Sequence, residues 1–215
     1  MTRYLVPAFF KDVEGPTDWP FLEPLCRRLL ADVLVDANEP VEVQTRFLEV
    51  GHSRRRDNQS LIDDAADLSG VAQVLFLHAD GKGDPVRAYR ERIAPIAAAV
   101  DQAGDCRLVG VVPVHETEAW MLADPTALAD ALGVTTALDV PRSPGEIEAL
   151  AKPKERLREV CARSAGGRRR RRRREAPREL LGQLVALQAL RRLAAFQAFE
   201  EGLRQALREL GYLPR

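Results

Sequence analysis

Acidic side chains follow three apolar segments that the sequence predicts as β-strands. They lie in Glu14-Gly15-Pro16-Thr17-Asp18, in Asp80-Gly81-Lys82-Gly83-Asp84 and in His115-Glu116-Thr117-Glu118. Ligands of open α/β sheets bind outside the carboxyl ends of the strands. Carboxylate oxygens are the ligands that a hard cation such as Mg²⁺ requires. The pattern therefore predicts that these carboxylates meet at one sheet edge and hold Mg²⁺ or Mn²⁺, with Glu14, Asp80, Asp84, Glu116 and Glu118 as the candidate ligands.

Apolar runs alternate with helix-like segments through the first half of the chain. The expected strands are Leu5–Phe10, Val41–Leu48, Val71–His78 and Arg107–Val114. The expected helices run from Thr17 or Asp18 to Ala31, over Asn58–Leu68 and over Pro85–Ala103. Strands that alternate with helices are typical of a parallel sheet covered on both faces. We expect an α/β fold with a mostly parallel sheet of about four strands.

After Glu116 the pattern predicts helices alone. The expected helices are Glu118–Leu122, Pro125–Leu132, Pro141–Leu150, Pro153–Ala162 and one or two helices within Arg178–Leu210. We therefore expect an α/β domain at residues 1–124 and a helical extension at residues 125–215.

Composition is typical of a globular protein, with 46% hydrophobic and 30% charged residues in 215. No apolar stretch approaches the roughly 20 residues of a membrane-spanning helix. The apolar run Tyr4–Phe10 is short and precedes Lys11, so we interpret it as a strand and expect a cytoplasmic protein without membrane contact. Cys26, Cys106 and Cys161 lie far apart, which favours buried free thiols over a disulfide or zinc framework.

The net charge of zero hides an asymmetry. Residues 161–215 contain 14 Arg, no Lys and five Glu, a balance of +9, so residues 1–160 carry −9. Much of the positive charge is one run: Arg168, Arg169, Arg170, Arg171, Arg172, Arg173 and Arg174. Like charges repel, and Gly166-Gly167 precede them, so we expect a flexible loop over residues 166–175. This run is interpreted equally well as a solvated loop and as a clamp for nucleic-acid phosphates.

Two common motifs are excluded. The segment Asp80–Asp84 is not a phosphate-binding P-loop, because Lys82 is followed by Gly83 where that motif has Ser or Thr. The zinc-protease motif needs a second His four residues after the first, and Ala119 occupies that position after His115.

The acidic pattern resembles the Toprim domain, the metal-binding α/β module of topoisomerases, primases and OLD-type nucleases. In that family a Glu follows the first strand and an Asp-x-Asp pair follows a later one. Glu14 matches the first element and Asp80 the first Asp of the pair. Lys82 stands where the second Asp belongs, and Asp84 follows two residues later. The resemblance implies a Toprim-like fold with a departure from the two-metal pattern.

A closer resemblance is to a bacterial Toprim-like group catalogued as domain of unknown function 4276. It is carried by Glu14-Gly15-Pro16-Thr17-Asp18, by Glu118-Ala119-Trp120-Met121-Leu122-Ala123-Asp124 and by Lys152-Pro153-Lys154. This resemblance implies a protein that works beside an ATPase partner in defence against phage.

Two functional hypotheses follow. The first is a Mg²⁺- or Mn²⁺-dependent nuclease, or a related phosphoryl-transfer enzyme, on DNA or RNA. Asp80 with Glu118 or Asp84 would hold the metal, which would polarise the phosphate and activate water. Glu14 would complete the coordination or act as general base, so Glu14, Asp80 and Glu118 are the candidate catalytic residues. The phosphate-contact candidates are Lys82, Lys152, Lys154 and the arginines 168–174.

The second hypothesis is a non-catalytic, nucleic-acid-binding or regulatory partner that keeps the same fold. The four-residue spacing from Asp80 to Asp84 favours this hypothesis, because it departs from the metal-binding pair of the resembled family.

Overall fold

The computed structural model describes residues 2–10, 17–44, 57–164 and 176–215. Its strands are β1 (Arg3–Leu5), β2 (Pro7–Phe9), β3 (Val41–Val43), β4 (Val74–His78) and β5 (Arg107–Val111). All pairings among them are parallel, in a two-stranded sheet β1–β3 and a three-stranded sheet β2–β4–β5. The carboxyl ends of β2, β4 and β5 therefore share one edge.

The predicted first strand divides at Val6 into β1 and β2. Leu5 accepts a hydrogen bond from Gln44 on the β3 side, whereas Phe9 lies beside Phe76 of β4. Between them the Val6 N–H donates to Oε1 of Gln73 at 2.7 Å. Pro7 has no N–H and cannot donate a hydrogen bond to a neighbouring strand. The chain changes its strand partner at this point, where that bond would be missing in a continuous strand.

Helices occupy most of the remaining described residues. They are α1 (Trp19–Val33), α2 (Asn58–Ser69), α3 (Pro85–Ala88), α4 (Ala94–Ala103), α5 (Glu118–Met121), α6 (Pro125–Leu132), α7 (Pro144–Glu148), α8 (Pro153–Ser164), α9 (Arg178–Leu184), α10 (Leu187–Leu190) and α11 (Ala194–Glu209). The chain is thus a mixed α/β protein with parallel strands, as the alternation predicted. No helix in the described part of the chain combines the length and the apolarity that crossing a membrane requires.

The expected helix Pro85–Ala103 contains a π-helical turn, Tyr89–Ile93, between α3 and α4. Pro95 lacks the N–H that would bond to the carbonyl of Glu91 four residues earlier. The side chain of Asn58 donates to that Glu91 carbonyl at 2.9 Å instead. The proline thus explains both the irregular turn and the contact that ties α2 to it.

The three-stranded sheet has an apolar layer on each face. Phe9 and Phe76 stack with ring centroids 5.1 Å apart on the face covered by α1 and α11. Leu75 and Leu77 point to the other face, which α2 and α4 cover. Burial on both faces is what makes β4 apolar throughout.

The helices after residue 125 contribute to the same core as the sheet. Leu181, Phe196 and Leu203 belong to one buried cluster with Phe76 and Trp120. Trp120 and Phe199 stack at 6.0 Å between centroids. The division at residue 124 remains a prediction, but these helices pack directly on the α/β part.

Gly182 of α9 lies where α9 crosses α1. A Cβ at Gly182 would lie 2.3 Å from the Phe21 carbonyl oxygen and 2.5 Å from Cγ of Pro24. We predict that Gly182→Ala lowers the free energy of unfolding by about 1–3 kcal/mol, because the helices must separate. Chemical denaturation measures this.

Gly202 of α11 is the matched control. A Cβ there would have no described atom within 4 Å, apart from the adjacent residues and the backbone of its own helix. Gly202→Ala should raise the free energy of unfolding by up to about 1 kcal/mol, because alanine has the higher helix propensity. Equal effects of the two substitutions would contradict the close approach of α9 to α1.

Candidate functional site

Side chains from three segments meet at the carboxyl edge of the three-stranded sheet. Thr117 follows β5, and Asp18 directly precedes α1. The Oγ1 of Thr117 donates a hydrogen bond to Oδ1 of Asp18 at 2.6 Å. His78, the last residue of β4, has its Nε2 3.9 Å from Asp18 Oδ2 and 3.3 Å from Asp80 Oδ1. This edge therefore gathers two carboxylates, a hydroxyl and an imidazole from positions up to 99 residues apart.

His78 is buried in the cluster, with a side chain 3% exposed. Its Nδ1 lies 2.8 Å from the Val111 carbonyl oxygen and must carry the proton that this contact requires. Its Nε2 has no hydrogen-bond partner within the described residues, because the contact with Asp80 falls outside hydrogen-bond geometry. Burial alone would lower the pKa of His78, but Asp80, the Val111 carbonyl and Asp18 together raise that pKa above its ordinary value.

Arg178, the first residue of α9, adds a cation to the edge. Its Nη2 donates to Glu118 Oε1 at 2.6 Å, and its Nη1 lies 3.7 Å from Asp18 Oδ1. The Glu118 side chain is 3% exposed and also lies 4.0 Å from Lys154 Nζ. A buried carboxylate needs such partners to remain charged. Arg178 and Lys154 therefore neutralise Glu118, and Arg178 also faces Asp18.

The glycine turn after β4 is held against the segment after β5. A Cβ at Gly81 would lie 2.2 Å from the Pro113 carbonyl oxygen, and the Gly83 N–H donates to the Val114 carbonyl at 2.7 Å. Lys82 and Gly83 both have positive φ, 49° and 89°. Only a residue without a side chain fits at Gly81, so the turn fixes the position of Asp80 at the edge.

The family to which the chain belongs follows from a comparison with family models. The model described as domain of unknown function (DUF4276) matches residues 13–204. The chain is a member of this family. The resemblance predicted from Glu14–Asp18, Glu118–Asp124 and Lys152–Lys154 is confirmed, whereas the relationship to Toprim domains stays a prediction. Neither the curated proteins nor the solved structures give a significant match.

The candidate site residues of this DUF4276 protein have different positions in the structure. Asp80 and Glu118 lie at the edge and are connected through His78, Asp18 and Arg178. Glu14 and the arginines 168–174, with the loop expected at residues 166–175, lie outside the described residues.

Two predicted ligands have structural roles at helix starts. Asp84 accepts a hydrogen bond from the Arg87 N–H at 2.9 Å and caps α3. Glu116 Oε2 accepts from the Lys154 N–H at 3.1 Å, at the start of α8. Glu116 thereby places Lys154 beside Glu118, whereas Asp84 is oriented by its own helix.

The predicted phosphate-contact lysines divide similarly. Lys154 lies at the edge, near Glu118. Lys82 is exposed in the glycine turn. Lys152 is 71% exposed and pairs with Glu155 at 3.0 Å. The described residues therefore place one lysine at the carboxylates and leave two at the surface.

Sequence reasoning missed four residues of the cluster: Asp18, His78, Thr117 and Arg178. Asp18 lies at the expected start of the first helix and is the N-cap residue of α1, but its side chain makes no capping bond and faces the site instead. Its place in the turn that contains Glu14 was the available signal. Arg178 had no local signal, because it lies 60 residues from Glu118 in sequence.

The fit to a metal ion depends on how these carboxylates group. Within residues 2–10, 17–44, 57–164 and 176–215, no three His, Cys, Asp or Glu side chains group so that they alone could hold a metal. The oxygen donors suit Mg²⁺ or Mn²⁺. Two of them, on Asp18 and Glu118, face Arg178. A complete site thus needs a further ligand or a rearrangement of Arg178, and Glu14 is the candidate ligand outside the described residues.

The raised pKa of His78 predicts a pH dependence of stability in metal-free protein. Protonated His78 stabilises the folded state, so its contribution is complete below the unfolded pKa of about 6.5. The contribution is lost as the pH rises through the higher folded pKa. Urea denaturation in chelator, at steps from pH 5.5 to 8.5, should show a fall that His78→Gln lacks. Identical pH profiles for the two proteins would contradict the assignment.

Proposed function

We propose that this chain is a divalent-metal-dependent nuclease, or a closely related phosphoryl-transfer enzyme, that acts on nucleic acid. The observation that carries the proposal is the meeting of Asp18, Asp80 and Glu118 with Arg178 and Lys154 at the carboxyl edge of parallel strands. Ligand sites of open α/β sheets lie at this edge. Carboxylates for a metal beside cations for phosphate oxygens are the groups that phosphoryl transfer uses.

Asp80 is the first candidate ligand. Its side chain is 25% exposed, against 3% for Glu118 and 12% for Asp18. Glu118 and Asp18 are the further carboxylates, and Glu14 completes the coordination or acts as general base. A bound Mg²⁺ or Mn²⁺ would polarise the phosphate and lower the pKa of bound water. Asp84 is withdrawn as a ligand in this proposal, because it caps α3.

The protein itself supplies the remaining parts of such a site. Lys154 and Arg178 offer positive charge to phosphate oxygens. The turn at Gly81 holds Asp80 against the segment after β5. The buried ring of His78 lies between Asp18 and Asp80 and fixes their separation.

The fold and the setting belong to the same proposal. Parallel strands, with Asp80 following β4 and Glu14 following the first strand in sequence, support a Toprim-like arrangement. From the resemblance to the DUF4276 group we propose a bacterial protein that works beside an ATPase partner in phage defence. We also propose that it is cytoplasmic and binds DNA or RNA.

A second candidate function is a nucleic-acid-binding partner without turnover. The observation that favours it is that Arg178 faces both Asp18 and Glu118, while no three described ligands group around a cation position. A site whose carboxylates are neutralised by the protein's own cations can bind nucleic acid through positive charge and lack a metal.

Cleavage assays with Asp80→Asn separate the two candidates. We predict that the wild-type protein cleaves plasmid or single-stranded nucleic acid with Mg²⁺ or Mn²⁺ and not with chelator. Asp80→Asn should abolish cleavage and leave binding largely intact, because it removes a metal ligand and no phosphate contact. Gel electrophoresis and a binding assay measure the two properties.

Asp84→Asn is the matched control, because asparagine also caps helices and should keep the fold and the activity. Loss of cleavage in Asp84→Asn would return Asp84 to the metal site. Wild-type protein that cleaves no nucleic acid with any metal would leave the binding-partner function in place of the enzyme.

Replacing Arg168–Arg174 by Ser tests the phosphate clamp. We predict that the slope of log K against log salt falls by about 0.7–0.9 for each arginine that binds a phosphate in the wild-type protein. Fluorescence anisotropy at a series of salt concentrations measures this slope. Arg208→Ser is the control, because Arg208 is already paired with Glu201 at 2.8 Å. An unchanged slope in the sevenfold variant would show that the run is a solvated loop.

A further inference from the structure

Arg178 has an unused donor inside the candidate site. Its Nη2 bonds to Glu118, but Nη1 is buried and has no hydrogen-bond partner within the described residues. Nη1 lies 3.7 Å from Asp18 Oδ1, close enough for charge attraction and too far for a hydrogen bond. Buried donors in proteins are nearly always paired. An unpaired guanidinium N–H beside two carboxylates therefore indicates an acceptor that a ligand supplies.

We propose that Arg178 binds a phosphate group of the nucleic acid and, in the free protein, occupies the place of the cation between Asp18 and Glu118. Its contact with these carboxylates and the binding of a divalent metal are then alternatives. This inference rests on the proposed function and deepens it, since it names the phosphate-binding residue and what controls metal entry.

The guanidinium suits this exchange. Its planar fork matches the oxygens of a phosphate as well as those of a carboxylate. The Arg178 side chain is 18% exposed, so part of it reaches solvent, although Nη1 itself is buried. Lys154, with a side chain 38% exposed, has its Nζ 4.0 Å from the same Glu118 Oε1. A phosphate beside Glu118 would therefore meet two cations.

The exchange couples the two ligands. When a phosphate draws Arg178 away, Asp18 and Glu118 lose the guanidinium that they share, and Lys154 remains near Glu118. With less positive charge around them, the two carboxylates attract a divalent cation more strongly through their oxygens. Coupling of this kind is reciprocal: a metal that takes Asp18 and Glu118 frees Arg178 for phosphate.

Mn²⁺ titration of variants tests the competition without nucleic acid or turnover. Arg178→Gln removes the competing charge and should tighten Mn²⁺ binding about tenfold, within the 5–150-fold range typical of coupled sites. Arg178→Lys keeps the charge and should bind Mn²⁺ as the wild type does. Calorimetry measures the affinity, and circular dichroism checks that each variant is folded.

Arg156→Gln is the matched control. Arg156 is 23% exposed and bonds to Asp139 and Glu159, so it resembles Arg178 in burial and in having two acidic partners. Because neither partner belongs to the candidate site, Mn²⁺ affinity should not change in Arg156→Gln. An equal gain in both variants would reflect general charge and overturn the inference.

A binding assay with 20-nucleotide DNA, single-stranded and duplex, tests the phosphate contact in chelator. Arg178→Gln should reduce the slope of log K against log salt by about 0.7–0.9, the value for one phosphate. Arg178→Lys should keep the wild-type slope. A tighter Mn²⁺ site with an unchanged slope would overturn the phosphate contact, and unchanged Mn²⁺ affinity would overturn the competition.

The remaining outcomes also decide. Wild-type protein and Arg178→Gln that bind neither Mn²⁺ nor DNA would remove the proposed function and this inference with it. If the wild type and Arg178→Gln bind Mn²⁺ and DNA equally well, this inference is overturned and the proposed function is not. Should Arg178→Gln fail to fold, the competition can be tested with the wild-type protein alone. The inference requires that the 20-nucleotide DNA increases the Mn²⁺ affinity of the protein, after the Mn²⁺ bound by the DNA itself has been subtracted.

Discussion

The burial of Glu118 sets a requirement that much of the structure meets. The Glu118 side chain is 3% exposed, and burying a carboxylate costs free energy unless a close cation or several hydrogen bonds replace its lost hydration. Arg178 meets the requirement from α9, a helix that the sequence places 60 residues later. The position of α9 is in turn fixed against α1, where Gly182 allows close approach and Arg28 donates to the carbonyls of Gly182 and Val185. One ion pair thus connects the sheet edge to the C-terminal helices.

The core beneath the edge reinforces this connection. Phe76 of β4 and Trp120 of α5 both pack against Phe199 of α11. Trp120 lies two residues after Glu118, so the same short helix presents the carboxylate to the site and the aromatic ring to the core. Movement of α5 would disturb both the core and the site, which gives the carboxylate a fixed position. Pre-organised charge of this kind is what an electrostatic site requires.

Sequence reasoning recovers what depends on local periodicity and misses what depends on long-range packing. The apolar run of β4 and the glycine turn after it locate Asp80, because strand burial and turn chemistry are both local. The segments Glu14–Asp18, Glu118–Asp124 and Lys152–Lys154 together predicted the family, which the family model confirms. Sequence reasoning could not identify Arg178, because its role comes from the ion pair with Glu118 on another helix. The π turn before Pro95 and the division of the first strand at Val6 both follow from the N–H that proline lacks. The side chains of Asn58 and Gln73, which make the hydrogen bonds at these two places, lie on other segments and are not predicted by the local sequence.

The three carboxylates of the edge are electrostatically unequal, and this inequality bears on how the site could work. Asp80 is the most exposed and faces the His78 imidazole, whereas Asp18 and Glu118 face the guanidinium of Arg178. A cation that approaches the free protein therefore meets Asp80 first and competes with Arg178 for the other two. A polyanion has the opposite effect, because it attracts Arg178, Lys154 and the arginine-rich segment together. The separation of −9 and +9 between residues 1–160 and 161–215 repeats this arrangement along the whole sequence. Under the function proposed above, nucleic acid would relieve the internal neutralisation, and the metal would bind strongly only where a phosphate is already in place.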